Sequence, residues 1–390
     1  MREHWQLDAE TAFLNHGSFG ATPTVVLEHQ AELRARMERA PIQFFLREGP
    51  VLWADALERV AAFLGAPSSE LAFVTNATEG VNAVLRSLRF EPGDRVLVAD
   101  HGYPAVHHAV RFVAERAGAE VDMVTLPFLQ GLGPEVVVER ILGAVRERTR
   151  LAVLDHITSP TGVVLPLERI VPELQGRGVD VLVDGAHAPM QVDLDLSALG
   201  AAYYTGNFHK WVCSPKGAGF LHVRADRREG IVPTSISHGY RPELCAADRF
   251  RAMFDWTGTS DPSPMLCVPL ALDTLERIGG SFAAIRDRNR ALCLEGRAIV
   301  AEALEVVPPA PESMVGFLAA LPLPDAAGAP PESALHFDPL QLALHDRHHV
   351  EVPIFPWPEW PRRLIRISAH LHNERSDYER LAAALREELR

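Results

Sequence analysis

Residues 151–187 read LAVLDHITSPTGVVLPLERIVPELQGRGVDVLVDGAH, and their pattern decides the fold. The segments LAVLDHI (151–157) and VDVLVDG (179–185) are continuous apolar runs without polar alternation. A strand with water on one face alternates, so unbroken runs predict strands covered on both faces. Between them LERIVPELQGRG (167–178) carries apolar residues at helical spacing and closes on the turn signal GRGVD. Strand, helix and strand in that order predict a parallel crossover unit.

The same alternation extends toward the amino terminus. LAFVT (71–75) precedes TEGVNAVLRSL, RVLVAD (95–100) precedes PAVHHAVRFVAERAG, and EVDMVTL (120–126) precedes GPEVVVERILGAVRE. Beyond residue 187 the rhythm changes. AAYYTGNFHK (201–210) and GAGFLHVR (217–224) leave little room for a helix, which predicts a departure from plain parallel winding. From about residue 270 come helical PLALDTLERI and RNRALCLEGRAIVAEAL, then strands MVGFLAAL (314–321) and RRLIRIS (362–368), then the helix ERSDYERLAAALREELR. This predicts a second, α+β part, with PPAPES and DAAGAPPES (325–333) as loops.

Composition narrows the function. The 390 residues carry a formal net charge of −13, which disfavours nucleic acid as the main partner. No run has the length of a membrane span, and the first residues, MREHWQLDAETAFLNHG, lack the apolar core of a signal peptide, so a cytoplasmic location is expected. Cys213, Cys245, Cys267 and Cys293 form no C-x-x-C pair, so neither a metal site nor a disulfide framework is expected. Of 38 basic residues only Lys210 and Lys216 are lysines, both within GNFHKWVCSPKGAGF (206–220). An amine can deprotonate and attack a carbonyl; a guanidinium cannot.

Ligands of open α/β sheets collect at the carboxyl ends of the strands. Here those ends carry Asn76-Ala77-Thr78-Glu79-Gly80, Asp100 to Tyr103, Asp155-His156 with Ser159, Asp184 to His187, and Asn207 to Lys210. NATEG opening a helix makes a site for one phosphate, whereas the Walker and G-x-G-x-x-G motifs are absent. Asp184 could hold a cationic ring nitrogen, and Lys210 could form an imine with an aldehyde. Phosphate, pyridinium and aldehyde together describe pyridoxal phosphate.

FLNHGSFGATP, VDVLVDGAHAP, YYTGNFHKWVCSPKGAGFLHV, FDWTGTSDP and LIRISAHLHNE together span nearly the whole chain. Through them the sequence resembles the class V aminotransferases among the fold-type I pyridoxal-phosphate enzymes, and within them the isopenicillin N epimerase-like branch. The resemblance implies a mainly parallel, seven-stranded-type sheet in a large domain (20–265) and a smaller α+β domain (1–19 with 266–390). It makes Lys210 the Schiff-base lysine and leaves Lys216 structural. It pairs Asp184 with the pyridine nitrogen and sets His187 near the phenolic oxygen. Ala77 and Thr78, joined by Asn207 and His209, become the phosphate cradle.

Tyr103 matches the side chain stacked on the ring, with His101 as the alternative. Thr259 matches a residue lent across a homodimer to the neighbour's phosphate. Arg366 matches the arginine that binds the substrate carboxylate, while Asn15 and His16 resemble the segment lining the substrate entrance. Ser159 stands where desulfurase-like relatives carry an asparagine. The loop HHVEVPIFPWPEWPRRLIR (348–366) holds no cysteine, which disfavours persulfide chemistry, and offers Phe355, Trp357 and Trp360 instead.

The expected activity is α-carbon chemistry on an amino-acid substrate, epimerisation or racemisation through Lys210, with Tyr103 as a second acid on the opposite face. A C–S β-lyase or an aminotransferase is the alternative, since all three begin with the same proton abstraction. A non-catalytic binding module using the fold is the remote alternative.

Overall fold

The computed structural model describes residues 1–329 and 338–389; the carboxyl-terminal part of the 325–333 loop expectation lies outside them. A short strand β1 (Ala12–Phe13) opens the chain. The main sheet is built from β2 (Leu71–Val74), β3 (Arg95–Ala99), β4 (Glu120–Val124), β5 (Thr149–Asp155), β6 (Asp180–Gly185), β7 (Tyr203–Asn207) and β8 (Gly219–Val223). The remaining strands are β9 (Leu318–Leu323), β10 (Val350–Glu351), β11 (Ile354–Pro356) and β12 (Arg363–Ser368).

The main sheet has seven strands in the order β2-β8-β7-β6-β5-β3-β4. All neighbours run parallel except β8, which is antiparallel to both β2 and β7. That is the departure foreseen after residue 200: β7 and β8 are joined by a turn too short for a crossover helix, so the chain must reverse. β7 and β8 are buried along their whole length, and β6 along all but its first residue, because helices cover both faces. The edge strand β4 alternates instead, and its inward Asp122 takes a two-pronged ion pair from Arg95 at 2.6 and 2.7 Å.

Helix Ala77–Ser87 crosses close over the sheet. A Cβ on Gly80 would sit 2.1 Å from Thr205 Oγ1 on β7, so only glycine lets the helix approach that strand. This contact brings the helix amino terminus against the turn that carries Lys210.

β11, β12 and β9 form an antiparallel sheet, covered by helices Phe282–Leu304 and Arg375–Glu388, which pack on each other. β1 pairs in parallel with β10, tying the first residues to the carboxyl-terminal part. β9 starts four residues later than its apolar run predicts. Residues 312–314 form a 3₁₀ turn, and Gln191 Oε1 accepts the Phe317 N–H just before the strand begins.

Candidate active site

The carboxyl ends of β5, β6 and β7 and the turn after β7 meet one face of the small sheet. Asp155 and Asp184 are register partners on adjacent parallel strands, both buried. Asp184 ends β6 and accepts the Ala186 N–H at 2.9 Å. The backbone N–H groups of Ser159 and Tyr103 lie near enough to Asp155 to favour its charged form. Burial pushes both carboxyls up, and the Asp184 charge lifts Asp155 further. The Ala186 bond and the Lys210 charge restrain Asp184, so Asp155 takes a proton first and Asp184 stays the carboxylate.

Lys210 lies on the turn following β7, its Nζ 3.2 Å from His187 Nε2. Burial, followed by the Arg366 charge, pulls its amine down to about 8, against the opposing pull of Asp184 and Asp155. About a tenth of this amine is therefore uncharged at pH 7, against well under a thousandth for an ordinary lysine. Lys216, by contrast, is exposed.

Arg366, central in β12, is buried with no carboxylate partner among the described residues. One guanidinium nitrogen donates to the Ser159 carbonyl at 2.5 Å and reaches Ser159 Oγ at 3.4 Å; another donates to Ser18 Oγ at 3.2 Å. Ser18 in turn donates to Asn15 Oδ1 at 2.5 Å. The Nε has no partner, and the Phe355 ring lies 5.6 Å from the guanidinium carbon. Burial lowers the arginine to about 10. A buried cation with no counter-ion and an orphaned donor is costly, and a bound carboxylate would relieve it.

The helix Ala77–Ser87 presents its first turn nearby. Asn76 caps it through the Glu79 N–H, but the Ala77 N–H, expected to face a phosphate, donates to Asn207 Oδ1 at 2.9 Å. That leaves Thr78 as the unengaged member of this end. His209 Nδ1 sits 3.0 Å from the Ala218 carbonyl, and burial beside Lys210 drives its ring down to about 4. Thr259 is exposed on the loop between helices Ala246–Asp255 and Ser263–Leu266, apart from these contacts.

The two ring-stacking candidates differ in their surroundings. His101 is fully buried, with Nδ1 2.8 Å from Thr161 Oγ1 and Nε2 3.2 Å from the Leu126 carbonyl, edge-on to Phe128 and Trp357. Tyr103 is 43% exposed and close enough to Arg366 to influence its ionisation. Trp357 is thus part of a packed wall. Trp360 points its Nε1 to the Gly328 carbonyl at 3.3 Å.

His16 does not line an entrance. Its ring is fully buried beneath the lysine turn, Nε2 3.1 Å from the Lys210 carbonyl and Nδ1 3.0 Å from His372 Nε2. His370 stacks on it at 4.2 Å and reaches the Trp211 carbonyl at 3.2 Å. These three imidazoles have metal-like proximity, but each Nε2 already has a hydrogen-bond partner, so they serve as a neutral scaffold for the Lys210–Trp211 turn. Residue spacing gave no hint of this scaffold, of Ser18 or of the Trp211 indole. Asp155 was visible only as one polar strand end among five.

A buried amine kept partly neutral, a carboxylate suited to a ring nitrogen, an open helix terminus and an uncompensated arginine fit pyridoxal phosphate and an amino acid. The class-V aminotransferase model matches residues 51–381. The chain is 38% identical to an isopenicillin N epimerase of Amycolatopsis lactamdurans, over 99% of this chain and 97% of that one. It is 30% identical to a probable chloroplastic L-cysteine desulfhydrase of Arabidopsis thaliana, over 97% and 83% of the two chains. Among solved structures, the cystine C-S lyase C-DES, in complex with its product cysteine persulfide, superposes with a TM-score of 0.78 at 24% identity, covering 97% and 98%. That last likeness speaks for the fold alone.

Proposed function

The chain belongs to the class-V aminotransferase family and is a pyridoxal-phosphate-dependent enzyme, and from that premise we propose that it epimerises the α-carbon of an amino-acid-derived substrate. The kinship over nearly full length with isopenicillin N epimerases supports the reaction. The uncompensated Arg366 carries the substrate class, an α-carboxylate.

Bound pyridoxal phosphate supplies an aldehyde that condenses with amines and a protonated ring that accepts electrons from a deprotonated α-carbon. Lys210 would provide the amine that holds the cofactor and the base that takes the α-proton on one face. Asp184, kept ionised while Asp155 is the first of the pair to take a proton, keeps the ring nitrogen charged. Thr78 at the open helix end would hold the phosphate, helped by Asn207 and His209, and His187 would serve the phenolic oxygen. Tyr103, exposed in the cleft, returns a proton on the opposite face. Asn15 and Ser159 hold Arg366 in register for the carboxylate, Asn15 through Ser18. Thr259, exposed on its own chain, serves the phosphate site of a second copy in a homodimer.

Arg366→Leu is expected to raise KM for the amino acid by on the order of 10²-fold or more, since a two-pronged charge-assisted pair is lost. Melting temperature should hold or rise, because a buried unpaired charge goes with it. A KM within threefold of wild type would remove Arg366 from substrate binding.

The desulfhydrase relatives favour a second reading, β-elimination from a cysteine-like substrate. Proton NMR in deuterated water with L-amino acids, peptides bearing an α-amino acid end, and cysteine conjugates separates the two. Loss of the α-proton signal with the carbon skeleton intact is expected. Release of pyruvate and a thiol, without prior exchange into recovered substrate, would replace epimerisation by elimination.

A further inference from the structure

The residue after the lysine makes a contact that decides how the amine is held. Trp211 Nε1 lies 3.3 Å from His187 Nδ1, and His187 Nε2 lies 3.2 Å from Lys210 Nζ. An indole N–H can only donate, so His187 Nδ1 must be the acceptor, and the one proton of a neutral imidazole then sits on Nε2. That N–H points at the Lys210 nitrogen, which can accept it only as the uncharged amine. The ring is fully buried and held neutral by burial, with the Arg366 charge acting in the same direction. Trp211 is itself fully buried, with its ring centroid 5.3 Å from that of His16 and 5.7 Å from that of Phe317.

We propose that Trp211 is a positioning residue that locks His187 in its Nε2–H tautomer, so that His187 donates to Lys210 and holds that amine in its nucleophilic form. This rests on Lys210 being the amine that meets the cofactor. The other charged or titratable groups around Lys210 are Asp184 on β6, Asp155 on β5, Arg366 on β12 and neighbouring His209. The two carboxylates favour an ammonium, so the His187 donor works with Arg366 against them.

Two readouts test the tautomer lock on the full-length, cofactor-stripped chain. Nitrogen NMR with labelled histidine, the His187 signals identified by their absence in His187→Gln, should show Nε2 protonated and Nδ1 bare. In Trp211→Phe the lock is gone and Nε2 can turn acceptor toward an ammonium. The pH midpoint for condensation with pyridoxal phosphate should then rise by about one unit, roughly tenfold slower at pH 7. A wild-type spectrum with Nδ1 protonated overturns the proposal, as do superimposable pH profiles. If Trp211→Phe does not fold, the wild-type spectrum decides alone. Covalent cofactor retained by Lys210→Ala would instead sink the premise, which the tautomer spectrum does not depend on.

Discussion

Lys210→Ala is expected to abolish the visible absorption band of the cofactor-loaded protein and to lower turnover by at least roughly 10³-fold, the combined loss of a nucleophile and a base. Lys216→Ala should keep both. The two lysines differ by six positions in sequence, yet only one has the environment for the chemistry. Lys210 is buried, drawn down to about 8, and faced by His187 and the Asp155–Asp184 pair. Lys216 is exposed. Reduction with borohydride followed by peptide mapping gives a readout independent of turnover, with the modified peptide expected to contain Lys210. A reduced adduct on Lys216, or a band that survives in Lys210→Ala, would overturn the assignment.

Much of this was legible in the residues. Continuous apolar runs give buried strands, and polar groups at five strand ends mark one rim of the sheet. The β7–β8 reversal could be read from the short connection alone. Side-chain direction could not. His16 sits in a motif that suggests an entrance, but its ring turns inward because an acceptor for its Nε2–H, the Lys210 carbonyl, and a donor to its Nδ1, His372 Nε2, lie beneath it. Those partners are 194 and 356 residues away, a pairing that no local period encodes. Tyr103 is the ring-stacking residue that the motif favours, with His101 as the alternative, and spacing alone does not decide between them. Thr161 and the Leu126 carbonyl, on later crossovers, engage His101, whereas the Tyr103 ring is 43% exposed. The Ala77 amide, expected at a phosphate, donates to Asn207 instead, because β7 ends directly against the helix start.

The same inward-turned imidazoles make the fold acid-sensitive. Burial holds His101, His156, His209 and His370 down to about 4 each, and holds His16, His187 and His372 well below the usual histidine range. An unfolded histidine titrates near 6.5, so between about pH 6.5 and 4 the unfolded chain binds more protons than the folded one. Stability therefore rises with pH across that window and is lost as pH falls through it. At pH 5 each of the four contributes a loss on the order of 2 kcal/mol, together about 8 kcal/mol, comparable with the roughly 5–15 kcal/mol that holds a domain folded. Asp155 and Asp184, with Asp100 and Glu351, pull the other way, since their raised pKa favours the folded state once they are protonated, but these four carboxyls are outnumbered by nine lowered imidazoles, His107 and His222 included. Urea midpoints should thus be level from pH 8 to 7 and fall steeply from about pH 6.5, with cooperative unfolding complete before pH 4. His156 offers the sharpest single check. Its Nδ1 lies 2.8 Å from the Tyr204 hydroxyl, and His156→Gln keeps a polar partner there while removing one titrating ring. That variant should flatten the slope by about one proton, near 1.4 kcal/mol per pH unit. A midpoint that stays level from pH 8 to pH 5 would show that these rings are not held neutral in the folded chain. The scaffold of imidazoles beneath Lys210 would then need another account of its protons.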